Sequence, residues 1–347
     1  MEKSEIEETE QGEQEELFEH HRIVADPGQE PLRIDKFLVN RLPNTSRNRI
    51  QNACDAGCIL VNAKAVKSNH KVKPGDVIQV VLPEPVREIE LIPQDLPIQI
   101  VYEDDDVIII NKEAGMVVHP AYGNYSGTLM NALVYHFSQL PVRDGMQSRP
   151  GLVHRIDKNT SGLLVIAKSE TAMVQLAKEF FERTIERKYL ALVWGDFKED
   201  EGTIDANIGR SLKDRKVMDV FPGGEHGKHA VTHYKVIERL GYVTLIECKL
   251  ETGRTHQIRI HLKHINHPLF NDAEYGGDKI LKGTTFTKYK QFVMNCFEML
   301  KGQALHAQSI GFIHPRTQRS VYFESPLPPA FEALLDKWRK YSVSRKE

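Results

Sequence analysis

The chain has 347 residues, 40% of them hydrophobic, and a net charge of −2, which is room for two domains and a sizeable core. No apolar run nears the ~20 residues that cross a bilayer, and the acidic N-terminus lacks the basic and apolar stretches of a signal peptide. Four cysteines (Cys54, Cys58, Cys248 and Cys296) form no CxxC pair and no disulfide spacing, so a reduced, cytoplasmic setting is expected.

The charge is unevenly placed. Residues 1–19 hold nine Glu and one Lys, and the remainder carries 45 Lys and Arg against 39 Asp and Glu. Residues 1–22 therefore read as an acidic, disordered tail. Residues 32–83 read as a small α/β module. Leu32, Ile34, Phe37, Leu38 and Leu42 predict one amphipathic helix, and Ser46 can cap a second that ends near Gly57. Ile59–Asn62 and Val77–Leu82 read as strands, with Lys73-Pro74-Gly75-Asp76 turning the chain before the second. Nine Lys and Arg face four acids over residues 32–85. Arg33, Lys36, Arg47, Arg49, Lys71 and Lys73 are candidates for a phosphate-binding face, although such a balance also describes an ordinary solvated surface.

Pro83, Pro85, Pro93 and Pro97 mark residues 84–97 as a linker. A second domain is expected over 98–340. Val107–Asn111 reads as a buried strand, and residues 170–183 as a helix with Met173, Leu176, Ala177, Phe180 and Phe181 on one face. Strand-like segments follow at 189–194, 229–237 and 242–250. Helical spacing returns at Ile258, Leu262 and Ile265 and at Phe331, Leu334, Leu335 and Trp338. Many strands with few long helices predict an α+β fold, a mixed and largely antiparallel sheet with peripheral helices.

Within that domain, Gly151–Ile156 and Leu163–Ala167 are apolar runs flanking a polar turn, Asn159-Thr160-Ser161-Gly162. Asp157 stands at the turn's start, between Arg155 and Lys158. A carboxylate there serves either chemistry or its own backbone N–H groups as an Asx turn.

His-Arg-Ile-Asp followed by Thr160-Ser161-Gly162 resembles the signature of the RluA-type pseudouridine synthases. Lys112–Pro120, Arg187-Lys188-Tyr189, Leu250–His261, Leu305-His306-Ala307, His314-Pro315 and Pro326-Leu327-Pro328 extend the resemblance over most of 98–335. The 32–83 module resembles the α-L RNA-binding module of a small-subunit ribosomal protein. The resemblance implies isomerisation of uridine to pseudouridine in structured RNA, without cofactor or metal, by a chain expected to be monomeric. Domain order and the third motif look most like the D-type members that act on 23S ribosomal RNA; C-type enzymes and transfer RNA synthases share the same elements.

The resemblance also implies roles. Asp157 would be the catalytic residue, attacking C1′ or removing the C2′ proton. Arg254 would be its counter-ion, lowering the carboxyl pKa by ~1–3 units. Tyr189 would stack on the uracil and Ile258 would wall the pocket, although both also suit a core. Arg155 would enter the space left by a flipped base. Lys112 would face the groove or be solvated, and His154 would pack locally. Two positions depart from the family pattern: Glu113 replaces a usual proline, and Asn271-Asp272 replaces glycine-aspartate, neither expected to touch the chemistry.

Rival readings are weaker. His256, His261, His264 and His267 suggest a metal, but no HExxH or Cys pair accompanies them. Gly223–Lys228 is one residue short of a P-loop and no Ser or Thr follows the lysine. A glycosidase would usually need a second carboxylate in the motif. An RNA-binding or ribosome-assembly protein with an inactive synthase domain would have been free to lose Asp157, Tyr189 and Arg254.

Overall fold

The computed structural model describes residues 18–42, 45–82, 91–121, 123–137, 140–141, 150–214 and 217–344. The chain divides into two compact units, with the boundary between Ile89 and Glu90.

The first unit contains β1 (Phe18–Val24), β2 (Leu32–Arg33), α1 (Ile34–Val39), α2 (Arg47–Asp55), β3 (Ile59–Val61), β4 (Lys64–Ala65), β5 (Lys71–Val72) and β6 (Val77–Leu82). Phe37, Leu38, Ile50 and Ile78 share its core. Ser46 caps α2, its hydroxyl accepting from the Arg49 N–H at 3.3 Å, and Gly57 supplies the positive φ (72°) beyond the helix. Residues 18–22, read above as tail, are instead strand: β1 pairs antiparallel with β6 in a sheet ordered β1-β6-β3-β4. Backbone pairing needs no apolar composition, and Ile23 packs on the core. The rest of the acidic stretch, residues 1–17, lies outside the described residues.

The expected basic face is divided by Asp35, which is fully buried. Arg33 and Arg47 both pair with it, at 3.0 and 2.9 Å, and Gln51 donates a further bond. Burial would raise the Asp35 pKa, but these hydrogen bonds outweigh it and hold the carboxyl well below the usual range. Those two arginines thus clamp the module. Lys36, Arg49, Lys71 and Lys73 are exposed and form no salt bridge among the described residues.

In the second unit come β7 (Ile100–Glu103), β8 (Val107–Lys112), α3 (Leu129–His136), β9 (Ser161–Ala167), α4 (Glu170–Glu182), β10 (Glu186–Trp194), β11 (Glu201–Asp205), β12 (Asn207–Arg210) and β13 (Met218–Phe221). They are followed by β14 (Val231–Arg239), β15 (Val243–Leu250), α5 (Gln257–His264), α6 (Thr287–Phe297), β16 (Leu305–Ile313), β17 (Ser320–Glu324) and α7 (Pro329–Ser344). Residues 91–97, expected as linker, pack here: Asn131 donates to the Ile92 carbonyl (2.8 Å) and the Gly127 N–H to Gln94 (2.6 Å). Pro83 and Pro85 lie outside the described residues.

One sheet runs β11-β14-β15-β10-β16-β9-β8-β7, with β17 also pairing β16. Its ladders are antiparallel except β16–β9. Ile108, Ile110, Leu164 and Ile166 pack with α3 and α5, whereas Val107, Ile109, Leu163 and Val165 pack with α4 on the opposite side. Helices cover both faces, which is why β8 and β9 read as continuous apolar runs rather than alternating ones.

The α4 stripe departs from expectation at one residue. Ala172, Met173 and Leu176 are buried, but Phe181 is 87% exposed, because it lies ~100° round the helix from Phe180.

Parallel pairing brings β9 against β16 at Gly162 and Ala307. Gly162 has φ +111°, and a Cβ there would lie 2.2 Å from the Ala307 carbonyl oxygen. Gly162→Ala should therefore destabilise the protein by about 2–4 kcal/mol, read as a lower urea midpoint with an unchanged m value. A midpoint equal to wild type would refute this account of the glycine.

Candidate active site

The segment before Asp157 is pinned to the end of β9. The Ala167 N–H donates to the Gly151 carbonyl at 2.9 Å. The Val165 N–H donates to His154 Nε2 (3.0 Å), and the His154 ring stacks on Phe180 with centroids 4.5 Å apart. Burial, with Arg187 nearby, pushes the His154 pKa down to about 3, so the ring is a neutral acceptor. His154 packs locally, as its setting in the sequence suggests.

After Asp157 the chain turns, with the Thr160 N–H donating to the Asp157 carbonyl (3.2 Å). Three consecutive side chains or backbones then lock onto β16 and the segment before it. Gln303 donates to the Thr160 hydroxyl, Ser161 bonds His306 Nδ1 at 2.9 Å, and Gly162 admits Ala307. His306 Nε2 in turn meets the Ser325 hydroxyl (3.0 Å), and burial lowers its pKa to about 4.

Lys112 does not face the groove. It is 2% exposed, and its Nζ donates to the carbonyls of Glu113, Met116 and Lys158 at 2.7, 2.9 and 3.0 Å. Burial drives its pKa down to about 7, opposed by Asp157 and Glu113. Three carbonyl acceptors match the three N–H bonds of an ammonium. The Gly115 N–H adds a second bond to the Lys158 carbonyl (2.8 Å), so the peptide after Asp157 is held from two sides.

Among the described residues, no backbone N–H bonds the Asp157 carboxylate, so the Asx-turn alternative is not what the fold adopts. Its partner is Arg259 rather than Arg254. Arg259 Nη1 donates to Asp157 Oδ2 at 3.2 Å. The same guanidinium meets Asp272 bidentately, at 2.8 and 2.9 Å, and Glu274 at 2.8 Å. Burial opposes its charge, but the hydrogen bonds and attraction from Asp272 outweigh this and raise the Arg259 pKa. Arg254 instead donates through Nε to the His229 carbonyl (3.1 Å), while its backbone N–H bonds Gln257. The reason is helical: α5 begins after Arg254, and residue 259 is the one carried inward beside Ile258.

Folding thus brings two further carboxylates to the site, both tied to Arg259. Asp272, in the turn first set aside, is 1% exposed and completes the charge network. Asn271 adopts the φ of +63° at which glycine is usual, and its amide bonds the Phe297 and Leu300 carbonyls. His256 lies 3.9 Å from Asp157 and 3.4 Å from Glu274, and burial lowers its pKa. His261 and His267 are engaged elsewhere, with Thr232 and Ala206 and with Trp194. Among the described residues no three His, Cys, Asp or Glu side chains cluster as a metal site would require.

Two adjoining cavities, of about 460 and 540 Å³, share Arg155, Asp157, Arg254 and Arg259. Tyr189, Ile258 and Leu305 line the first. Tyr189 faces Ala307 across one ladder and Cys248 across the other, and Ala307 faces Gly162. The row Gly162–Ala307–Tyr189 puts two small residues beside the phenol and leaves space over the sheet. Burial raises the Tyr189 pKa, keeping its hydroxyl protonated. Arg155 is exposed on the rim, with no salt bridge among the described residues. Arg259 and Glu274 were not singled out by sequence, and His256 and Asp272 were noted only in a histidine cluster and in a departing turn; the available signal was a lone arginine among Ile258, Ile260 and Leu262.

Residues 106–264 match the RNA pseudouridylate synthase family and residues 32–78 the S4 domain. An uncharacterized RNA pseudouridine synthase of Chlorobaculum parvum is 49% identical over 313 residues, 90% of this chain and 95% of that one. Ribosomal large subunit pseudouridine synthase D of Zymomonas mobilis is 41% identical over 309 residues, 87% and 92% of the two chains. The solved structure of human RNA pseudouridylate synthase domain containing 1 aligns with a TM-score of 0.52 at 25% identity, covering 72% of this chain and 95% of that chain. An isomerase acting on RNA is the class that fold and relatives define. The chain belongs to the RNA pseudouridine synthase family, with an S4 module ahead of its synthase domain.

Removing one partner of a buried ion network leaves the others uncompensated. Arg259→Met should destabilise by about 3–5 kcal/mol in urea unfolding, and Arg254→Met by about 1 kcal/mol, the worth of one hydrogen bond. The opposite ranking would return the counter-ion role to Arg254.

Proposed function

We propose that Asp157 is the catalytic residue of a synthase that converts uridines of 23S ribosomal RNA to pseudouridine. The observation that carries this is the Asp157–Arg259 contact, 3.2 Å, at the junction of the two cavities. The reaction breaks the N1–C1′ bond, turns the uracil and joins C5 to C1′; the C5 proton leaves and N1 gains one. Nothing is oxidised and nothing is added, so one ionised carboxylate and a pocket that retains the free uracil meet the chemical need.

Asp157 can serve by attack at C1′ or by removal of the C2′ proton, and either begins from the ion-paired carboxylate. Arg259 neutralises Asp157 while Asp272 and Glu274 hold the guanidinium in place. The Tyr189 ring offers a face for the uracil, where stacking is worth ~1–3 kcal/mol per base, and its protonated hydroxyl can relay a proton. Ile258 supplies an apolar wall. Arg155, exposed beside the carboxylate, suits insertion into the stack from which the target base is flipped, a step costing a few kcal/mol.

The ribosomal substrate is supported by the 41% identity to the Zymomonas enzyme, whose name places its action on the large ribosomal subunit. The S4 module would dock the RNA through Lys36, Arg49, Lys71 and Lys73; Arg33 and Arg47 spend their charge on Asp35. The chain is proposed to act as a monomer.

Asp157→Asn should abolish pseudouridine in an in vitro 23S transcript, scored by pseudouridine mapping, while filter binding of that transcript stays within about threefold of wild type. Substantial conversion by this variant would remove Asp157 from the catalytic role. Replacing Lys36, Arg49 and Lys73 by Gln should lower the slope of log affinity against log salt by about three. An unchanged slope would mean that this face does not meet phosphate.

A further inference from the structure

Beside the pocket, the corner between α4 and β10 carries an aromatic ring that the fold does not use. Phe181 is 87% exposed, and among the described residues no large apolar side chain is more so. A single exposed phenylalanine is unremarkable on a surface; this one lines the same cavity as Asp157 and Tyr189.

Its cationic neighbours are Arg183 and Arg187; of the acids in the same segment, Glu182 lies 3.9 Å from Lys178 and Glu186 is exposed at the start of β10. Arg183 closes α4 with φ +63°, in the left-handed region where glycine is favoured. The Arg187 guanidinium lies 5.4 Å from the centroid of the Phe180 ring, on which His154 also stacks. Its Nε is buried and has no hydrogen-bond partner. Neither arginine forms a salt bridge among the described residues, and both line the cavity. The two acids that line the cavity are paired elsewhere: Asp157 with Arg259, and Glu251 with His233 at 2.7 Å.

We propose that this corner, residues 180–187, holds a nucleotide of the substrate RNA adjacent to the target uridine, with Phe181 stacking on its base and Arg183 and Arg187 gripping its phosphate. The inference rests on the pocket being the uridine site. An exposed ring gives a base a face whatever its identity. The terminal nitrogens of a guanidinium that makes no salt bridge suit a phosphate, which accepts two parallel N–H bonds. An exposed ring and two arginines lining one cavity, next to the pocket for the flipped base, make a clamp for single-stranded RNA. The corner therefore holds the strand in its opened form, whereas Arg155 occupies the space the base has left.

The test uses the full chain and an in vitro 23S transcript, titrated by filter binding across a salt series and mapped for pseudouridine. Phe181→Ala should weaken binding about tenfold, and Phe181→Trp should stay within about twofold of wild type. Arg183→Gln and Arg187→Gln should each weaken binding and lower the salt slope by about one. Phe181 and Arg183 are exposed, so these variants should fold, and circular dichroism checks it. Binding by Phe181→Ala and both Gln variants within twofold of wild type overturns the proposal and leaves the ring to a protein partner. The titration judges the corner whether or not the transcript is converted; binding without conversion by wild type overturns the substrate reading alone.

Discussion

One guanidinium holds the site together. Arg259, on α5, joins a carboxylate from the turn before β9 to two carboxylates from the loop after α5. A charge so buried is tolerable only when its donors are satisfied and opposed by negative charge. Asp272 takes Nε and Nη2 bidentately, Glu274 shares Nη2, and Nη1 is left for Asp157. The proposed catalytic carboxylate is thus one of three acceptors on a fixed cation, and its position depends on the other two.

The sheet supplies the second constraint. β9 and β16 form the parallel ladder of the sheet, and they meet where glycine and alanine leave no room for a larger side chain. The Thr160-Ser161-Gly162 triplet therefore docks the Asp157 turn onto β16 through a hydroxyl, a histidine and a bare Cα. Lys112 completes the mount from β8 by holding the Lys158 carbonyl. Rigid elements fix the carboxylate, while the exposed arginines around it remain available to a polyanion. That division suits an enzyme that must keep its reactive group in place while a structured RNA rearranges.

Departures from the expected roles share a cause. Arg254 was read as the counter-ion of Asp157 and Lys112 as facing the groove from their places in motifs, and Phe181 as core from its place in a stripe. Position along a chain does not say which way a side chain turns once a helix begins or a strand ends. The start of α5 after Arg254 sends that residue to the His229 carbonyl and delivers Arg259 to Asp157. Arg33 and Arg47 show the same limit: as charges they suited RNA, yet the buried Asp35 in the first turn of α1 claims both.

Much was legible in the sequence because it depends on local chemistry. Apolar continuity marked β8 and β9, a serine marked the start of α2, and a polar turn bearing Asp157 stood out between two apolar runs. The α+β class followed from the order of those patterns. Contacts between distant segments belonged to the tertiary structure alone. Asp157 and Arg259 are 102 residues apart, and Ser161 and His306 are 145 apart. Ion pairs and close backbone approaches at such separations form only when the sheet is assembled, since no local preference encodes which buried charge will meet which.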